Sequence, residues 1–189
     1  MAGRYFYLSP AEFVTIKNVA LSRKESSYLA NIMDCLYLTA QREGRILNLK
    51  WPQINFEEGS ISFEQTSKNK RVPDVIWIND WLLPILHRLK RERSLSKVVS
   101  TYVFRKLDGT PYRSIRKVWN SCCKKAKIQD ARINDIRHKA IKDMLNPGVP
   151  VSKVKTAVGH SQTQTTDGYT HLRVEATEEA LGALLRENS

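Results

Sequence analysis

Residues 54–78, INFEEGSISFEQTSKNKRVPDVIWI, constrain the fold of this chain more than any other stretch, because here the hydrophobic period changes. Ile54, Phe56, Ile61 and Phe63 recur at every second position around a Glu58-Gly59 turn, the pattern of two paired strands with one buried face. Val75, Trp77 and Ile78 supply a third strand, and the lysine-rich segment 67–71 becomes the tip between strands two and three. On both sides of this island the apolar residues recur at three and four instead. Leu29, Ile32, Met33, Leu36 and Tyr37 mark a helix over Ser26–Thr39. The fold class this predicts is α+β: mainly helical, with one small three-stranded antiparallel sheet.

The remaining elements follow from caps and breakers. Ser9-Pro10 followed by Glu12 reads as a helix start with proline in the first turn. A short helix carries Ile46, Leu47 and Leu49 up to Trp51, where Pro52 stops or restarts the chain. Trp81–Leu95 is helical, Thr101–Phe104 is a short extended piece, and Asp108-Gly109 closes it as a turn. A strongly basic helix is expected over Tyr112–Ala126 and another over Ile133–Leu145, ended by Pro147-Gly148. A short helix over Val151–Val158 ends at Gly159, and an amphipathic one spans Glu175–Leu185. No internal repeat is visible.

A chain of 189 residues with 41% hydrophobic content suits one domain, or one with a short appendage. Its net charge of +12 asks for a polyanionic partner, and nucleic acid is the natural one. Cys35, Cys122 and Cys123 are odd in number and lack zinc-ligand spacing, which fits a reducing compartment without a structural metal. No run approaches the ~18 apolar residues of a membrane span, and MAGRYFYLS has no secretory character.

The closing segment 134–172 carries the chemistry. Phosphoryl transfer needs the non-bridging oxygens neutralised, a nucleophile in line, and a proton for the leaving oxygen. Arginine meets the first need with a planar fork that grips phosphate at two points. Arg137 adjoins the buried face traced by Ile133, Ile136, Ala140 and Ile141, a place where a structural ion pair is the alternative. His138 reads as a packing or capping residue. His160 follows Gly159 and precedes the small polar run SQTQTTDGYTH. Tyr169 lies in that run, away from any apolar pattern. Its phenol, ordinarily titrating near about 10, needs a base or a positive site to react. Arg42 and Arg45 stand at the end of an apolar helix, and Lys68, Lys70 and Arg71 on the expected hairpin tip, where a flexible lysine could donate a proton. Solvated charge is the competing reading for both groups.

In order and spacing, these segments resemble the catalytic domain of the tyrosine recombinases, the phage integrase family. TAQREGRILNLKWPQI is similar to the family helix T-G-x-R-x-x-E-[IL]-x-x-L-x-W-x-D-I, and TSKNKRVPDVIWIN to its hairpin lysine segment. NDIRH stands for the H-x-x-R-H box and VGH for the L-G-H box, with Tyr169 nine residues beyond His160. The resemblance covers residues 8–182. It implies Arg42 and Arg137 as catalytic arginines, Lys68 as general acid with Lys70 as its rival, His160 as a phosphate ligand and Tyr169 as nucleophile. Asn134 stands where the family has a titratable histidine, and Arg45 where it has a buttressing acid, unless Glu43 substitutes.

The implied activity is site-specific cleavage and rejoining of double-stranded DNA through a 3′-phosphotyrosyl link, with no cofactor and no metal. Expected DNA contacts are Lys70, Arg71, Arg113, Arg116, Lys117 and Lys139. The implied organisation is a linker remnant over 1–8, a catalytic domain over 9–172 and a tail helix over 173–189 exchanged between protomers, with packing in cis as the alternative. A monomer alone would become a homo-tetramer on DNA, and the full-length protein would carry a further amino-terminal DNA-binding domain. The implied location is cytoplasmic and nucleoid-associated, in a bacterium or encoded by a phage. Alternatives are a catalytically impaired DNA-binding relative, a type IB topoisomerase and an RNA-binding basic domain.

Overall fold

A computed structural model describes residues 8–63 and 74–145. The expected tip residues Lys68, Lys70 and Arg71, the expected helices 151–158 and 175–185, and His160 and Tyr169 lie outside the described residues.

Helix α1 (Pro10–Leu21) begins with a reciprocal cap. Ser9 Oγ accepts from the Glu12 amide at 3.2 Å, and Glu12 Oε2 accepts from the Ser9 amide at 2.8 Å. Its Phe13, Ile16 and Ala20 pack on α2 (Ser27–Thr39). Between the two helices the buried Ser26 hydroxyl donates to the Ala20 carbonyl at 2.9 Å, so the tight connection leaves no orphaned hydroxyl. Leu29, Ile32, Met33 and Leu36 of α2 are all but fully buried and form the centre of the main core.

After α2 the chain turns through Ala40, whose φ of 48° is left-handed, into the short helix α3 (Glu43–Leu47). A 3₁₀ turn over Trp51–Gln53 leads into the sheet. Strands β1 (Ile54–Asn55), β2 (Ser60–Phe63) and β3 (Asp74–Trp77) are antiparallel in the order β1-β2-β3. The register sets Ile54 opposite Ile61 and Ile61 opposite Ile76, which aligns one apolar column against the core. Gly59, at φ 65°, makes the turn. β1 stops before Phe56, whose ring lies against His87 at 4.9 Å and under Lys90 Nζ at 4.4 Å. Ile78 falls just past β3, its amide still donating to the Gly59 carbonyl at 2.7 Å.

Helix α4 (Leu82–Ser94) buries Leu82, Leu86 and Leu89. The extended piece at 101–104 runs beside residues 49–51, with Trp51 N donating to Thr101 O and Val103 N to Leu49 O, both at 2.8 Å. Helix α5 (Arg116–Lys125) starts four residues later than its composition predicts. Two tertiary contacts hold 112–115 out of the helix: Tyr112 stacks on Tyr28 at 4.2 Å, and the Ile115 amide donates to Glu43 Oε1 at 3.2 Å. Helix α6 (Ile133–Met144) is capped by the buried Asp135, which accepts from the Arg132 amide at 2.6 Å, and packs across α2. The observed class is the expected one, mainly helical with a single small antiparallel sheet. Among the described residues no helix is long and apolar enough to cross a membrane.

Candidate active site

The site is built where α6 crosses the end of α2. α2 ends at Thr39, whose hydroxyl folds back onto the Cys35 carbonyl at 2.5 Å. Ala40 then points its own carbonyl at α6, and the Arg137 guanidinium donates to that oxygen through Nη1. Arg137 is only 6% exposed, so the bond and its neighbours fix the head group of a buried cation. Two residues beyond Ala40, Arg42 caps α3 in an extended conformation, its carbonyl accepting from the amides of Arg45 and Ile46 at 3.0 and 3.3 Å. The Arg42 side chain is exposed. One turn of main chain therefore carries one candidate arginine and seats the other.

Gln41, 1% exposed, stiffens this turn, and its Oε1 accepts from Arg45 Nη1 at 3.0 Å. The Arg45 guanidinium lies 5.5 Å from the centre of the Phe63 ring on β2. The residue standing at the family's acidic position is thus engaged by Gln41 and an aromatic face. Glu43, the acid weighed as a substitute, directs its carboxylate to the Ile115 amide. That bond draws the start of α5 beside the Arg42 turn, with Arg113, Arg116 and Lys117 exposed around Ile115.

On α6, Asn134 is exposed one turn ahead of Arg137, and its Nδ2 lies 2.8 Å from His138 Nε2. Burial makes the His138 imidazole less basic than an ordinary histidine; Asp135 opposes that effect and Arg137 adds to it. Asp135 is itself pushed up by burial, against the pull of the Arg132 amide.

Lys139 is placed differently from the other basic residues expected at DNA. It is 7% exposed, and its Nζ holds Asp143 Oδ2 at 2.8 Å. The same carboxylate oxygen accepts from Tyr37 of α2 at 2.7 Å, and burial with the Asp143 bond pushes the phenol up to about 12. Lys139 Nζ also sits 5.6 Å from the Tyr37 ring centre. Its role in this geometry is an internal tie between α2 and α6. Among the described residues no three His, Cys, Asp or Glu side chains converge as metal ligands would.

The sequence pattern of the phage integrase family matches residues 7–176. The chain belongs to that family. The tyrosine recombinase XerC of Bifidobacterium longum (strain DJO10A) is 25% identical over 167 residues, covering 84% of this chain and 47% of that protein. The integrase of Salmonella phage P22 is 26% identical over 153 residues, covering 76% of this chain and 39% of that protein. A probable integrase/recombinase protein of Methanocaldococcus jannaschii reaches 30% identity over 167 residues, with 83% and 50% covered. The chain spans about half the length of these relatives or less. The crystal structure of XerA recombinase shares the fold with a TM-score of 0.77 at 22% identity, over 97% of this chain and 65% of that one. XerH site-specific recombinase, bound to a palindromic difH substrate in a post-cleavage complex, shares it with a TM-score of 0.70 at 18% identity, over 93% and 52%.

Three features of the site were not read from the sequence. The Ala40 carbonyl carries no side-chain signature, and the one signal for its left-handed backbone is the glycine that the family helix pattern has at this position. The Tyr37–Asp143–Lys139 tie joins residues 106 positions apart. The Asn134–His138 pair had a visible i,i+4 spacing, the one signal that could have found it.

Proposed function

We propose that this integrase-family chain is the catalytic part of a site-specific DNA recombinase that cuts and rejoins duplex DNA through a 3′-phosphotyrosyl intermediate. The observation that carries this reading is the seating of buried Arg137 on the carbonyl of Ala40, two residues from exposed Arg42. One guanidinium seated on a turn that itself carries a second arginine suits a phosphodiester whose charge grows as a fifth oxygen approaches phosphorus. Tyr169 gives its phenolic proton to water, its Oη attacks phosphorus and forms the tyrosyl ester, and the 5′-oxygen leaves with a proton from Lys68, or from Lys70 in its place. Arg42, Arg137 and His160 hold the non-bridging oxygens. A 5′-hydroxyl then attacks the ester and gives its proton to the lysine, and Tyr169 leaves as phenolate and takes a proton back from water. The number of phosphoester bonds is unchanged, so the cycle needs no ATP.

Arg113, Arg116 and Lys117, exposed next to the Arg42 turn, offer positive charge to the DNA backbone, and Lys70 and Arg71 are proposed as further DNA contacts. Duplex DNA as partner is supported by relatives such as XerH and the Tn1549 transposon integrase, described in complexes with DNA. In the whole protein a further DNA-binding domain precedes residues 9–172, the tail over 173–189 is exchanged between protomers of a DNA-bound tetramer, and the work is done in the cytoplasm at the nucleoid.

A second reading, a DNA-binding relative of impaired activity, is favoured by Asn134 and Arg45, neither of which offers the carboxylate or imidazole of the family pattern. Trapping on a nicked duplex of the native attachment site separates the two. Wild type should accumulate a covalent protein–DNA adduct, and Tyr169→Phe should bind the same duplex without one. Bound duplex with no adduct from wild type would overturn the recombinase reading and leave the second.

A further inference from the structure

The contact between Asn134 and His138 admits two polarities. If His138 Nε2 carries no proton, it accepts from the Asn134 amide nitrogen, and the amide edge turned away from the ring is the carbonyl oxygen. If Nε2 carries a proton, the amide turns over, Oδ1 accepts from Nε2–H, and the NH₂ group faces outward. An anion beside Asn134 meets an acceptor in the first arrangement and a double donor in the second. Asn134 is exposed and lies one helical turn from Arg137, the head group seated beside the Arg42 turn.

We propose that His138 is a positioning residue that sets which end of the Asn134 amide faces the scissile phosphate, so that phosphate binding and proton uptake by His138 are linked. The pair restores to the site the titratable character that Asn134 alone lacks. The inference rests on the recombinase reading for the identity of the anion.

The surroundings support it. Burial makes the imidazole less basic than an ordinary histidine, with Asp135 raising and Arg137 lowering its basicity from the same helix. From α2 the titratable group against α6 is Tyr37, whose proton stays on up to about 12 and whose hydroxyl is held by Asp143. Asp34 of the same helix is turned to Lys17 at 2.7 Å. Lys139 is tied to Asp143, and Arg42, two residues beyond the Ala40 carbonyl, carries a permanent charge. With the Nδ1 proton kept in both arrangements, a phosphate that draws the amide nitrogen outward favours a second proton on Nε2, taken from solvent, and raises the midpoint of His138.

Ring-nitrogen NMR on the full chain tests this, with inorganic phosphate as the probe and His138→Gln identifying the signal among the four histidines. The His138 midpoint should rise by about 0.5–1 pH unit in phosphate. In Asn134→Ala that rise should fall to less than about half, because only simple charge attraction remains. A midpoint that phosphate does not move, or moves equally in Asn134→Ala, would overturn the inference. In the trapping assay the wild-type adduct rate should climb as pH falls through the His138 midpoint, and His138→Gln, which still donates and accepts, should lose that limb. Identical pH profiles would also count against it. Absence of any wild-type adduct would remove the recombinase reading, while the NMR result decides the amide switch by itself.

Discussion

The body of α2 and its carboxyl end are held in different ways. The body, with Leu29, Ile32, Met33 and Leu36, is sealed in the main core, where burial is non-directional and grows with apolar area. The end meets α6 through a small patch of Ala40, Ala140, Ile141 and Leu145, with polar ties beside it: Arg137 on the Ala40 carbonyl, and Tyr37 and Lys139 on Asp143. The apolar body supplies stability. The polar end supplies orientation, because a hydrogen bond fixes direction as well as distance. Arginines that are to hold a phosphate in one geometry need the second property more than the first.

That contrast can be broken from either side. Leu29→Ala should destabilise the protein by about 2–5 kcal/mol in urea titration, yet leave the adduct rate per folded molecule near wild type. An equal loss of rate would mean that the core, too, sets the geometry of the site. Arg137→Lys should do the reverse. It keeps the charge and loses the fork, and the adduct rate should fall roughly 10²–10³-fold with a much smaller shift in the urea midpoint. Asp143→Asn strips the shared carboxylate from a nearly buried lysine, and should cost about 1–3 kcal/mol by the same titration. The smallest effect is alkaline. Tyr37 holds its proton up to about 12 in the folded protein, against about 10 in an unfolded chain, so its contribution is full below that lower value and disappears as pH rises through the upper. Tyr112 and Cys123 are also raised to about 12. Tyr37→Phe should therefore flatten the alkaline fall in urea midpoint only in part, and an unchanged slope would show that the Asp143 bond does not hold the phenol proton.

The difference between body and end also explains what could be read from the chain. The body of α2 was legible because Leu29, Ile32, Met33 and Leu36 recur at helical spacing, and the sheet was legible because its period is two. Ser9 and Glu12 announced the start of α1 for a local reason, the reach of two side chains across one turn. The start of α5 was misplaced because Tyr28 and Glu43, far away in sequence, hold Tyr112 and Ile115 outside the helix. Lys139 was expected at DNA because its burial depends on α2, which no window around residue 139 contains. Arg42 and Arg137 could be named from their boxes, but not the carbonyl that joins them. His160, Tyr169 and the candidate lysines lie outside the described residues, and their roles stand on the family pattern.

The acceptor for Arg137 belongs to the main chain, and this changes how the site tolerates mutation. A side-chain acceptor vanishes with one codon change, whereas every amino acid brings a carbonyl to position 40. What selection must preserve there is a backbone angle, φ 48°, which glycine, asparagine and aspartate adopt more readily than the alanine present. Sequence drift at position 40 among such residues would leave the seat of the arginine in place, so identity at this position is a poor guide to whether a related chain keeps it.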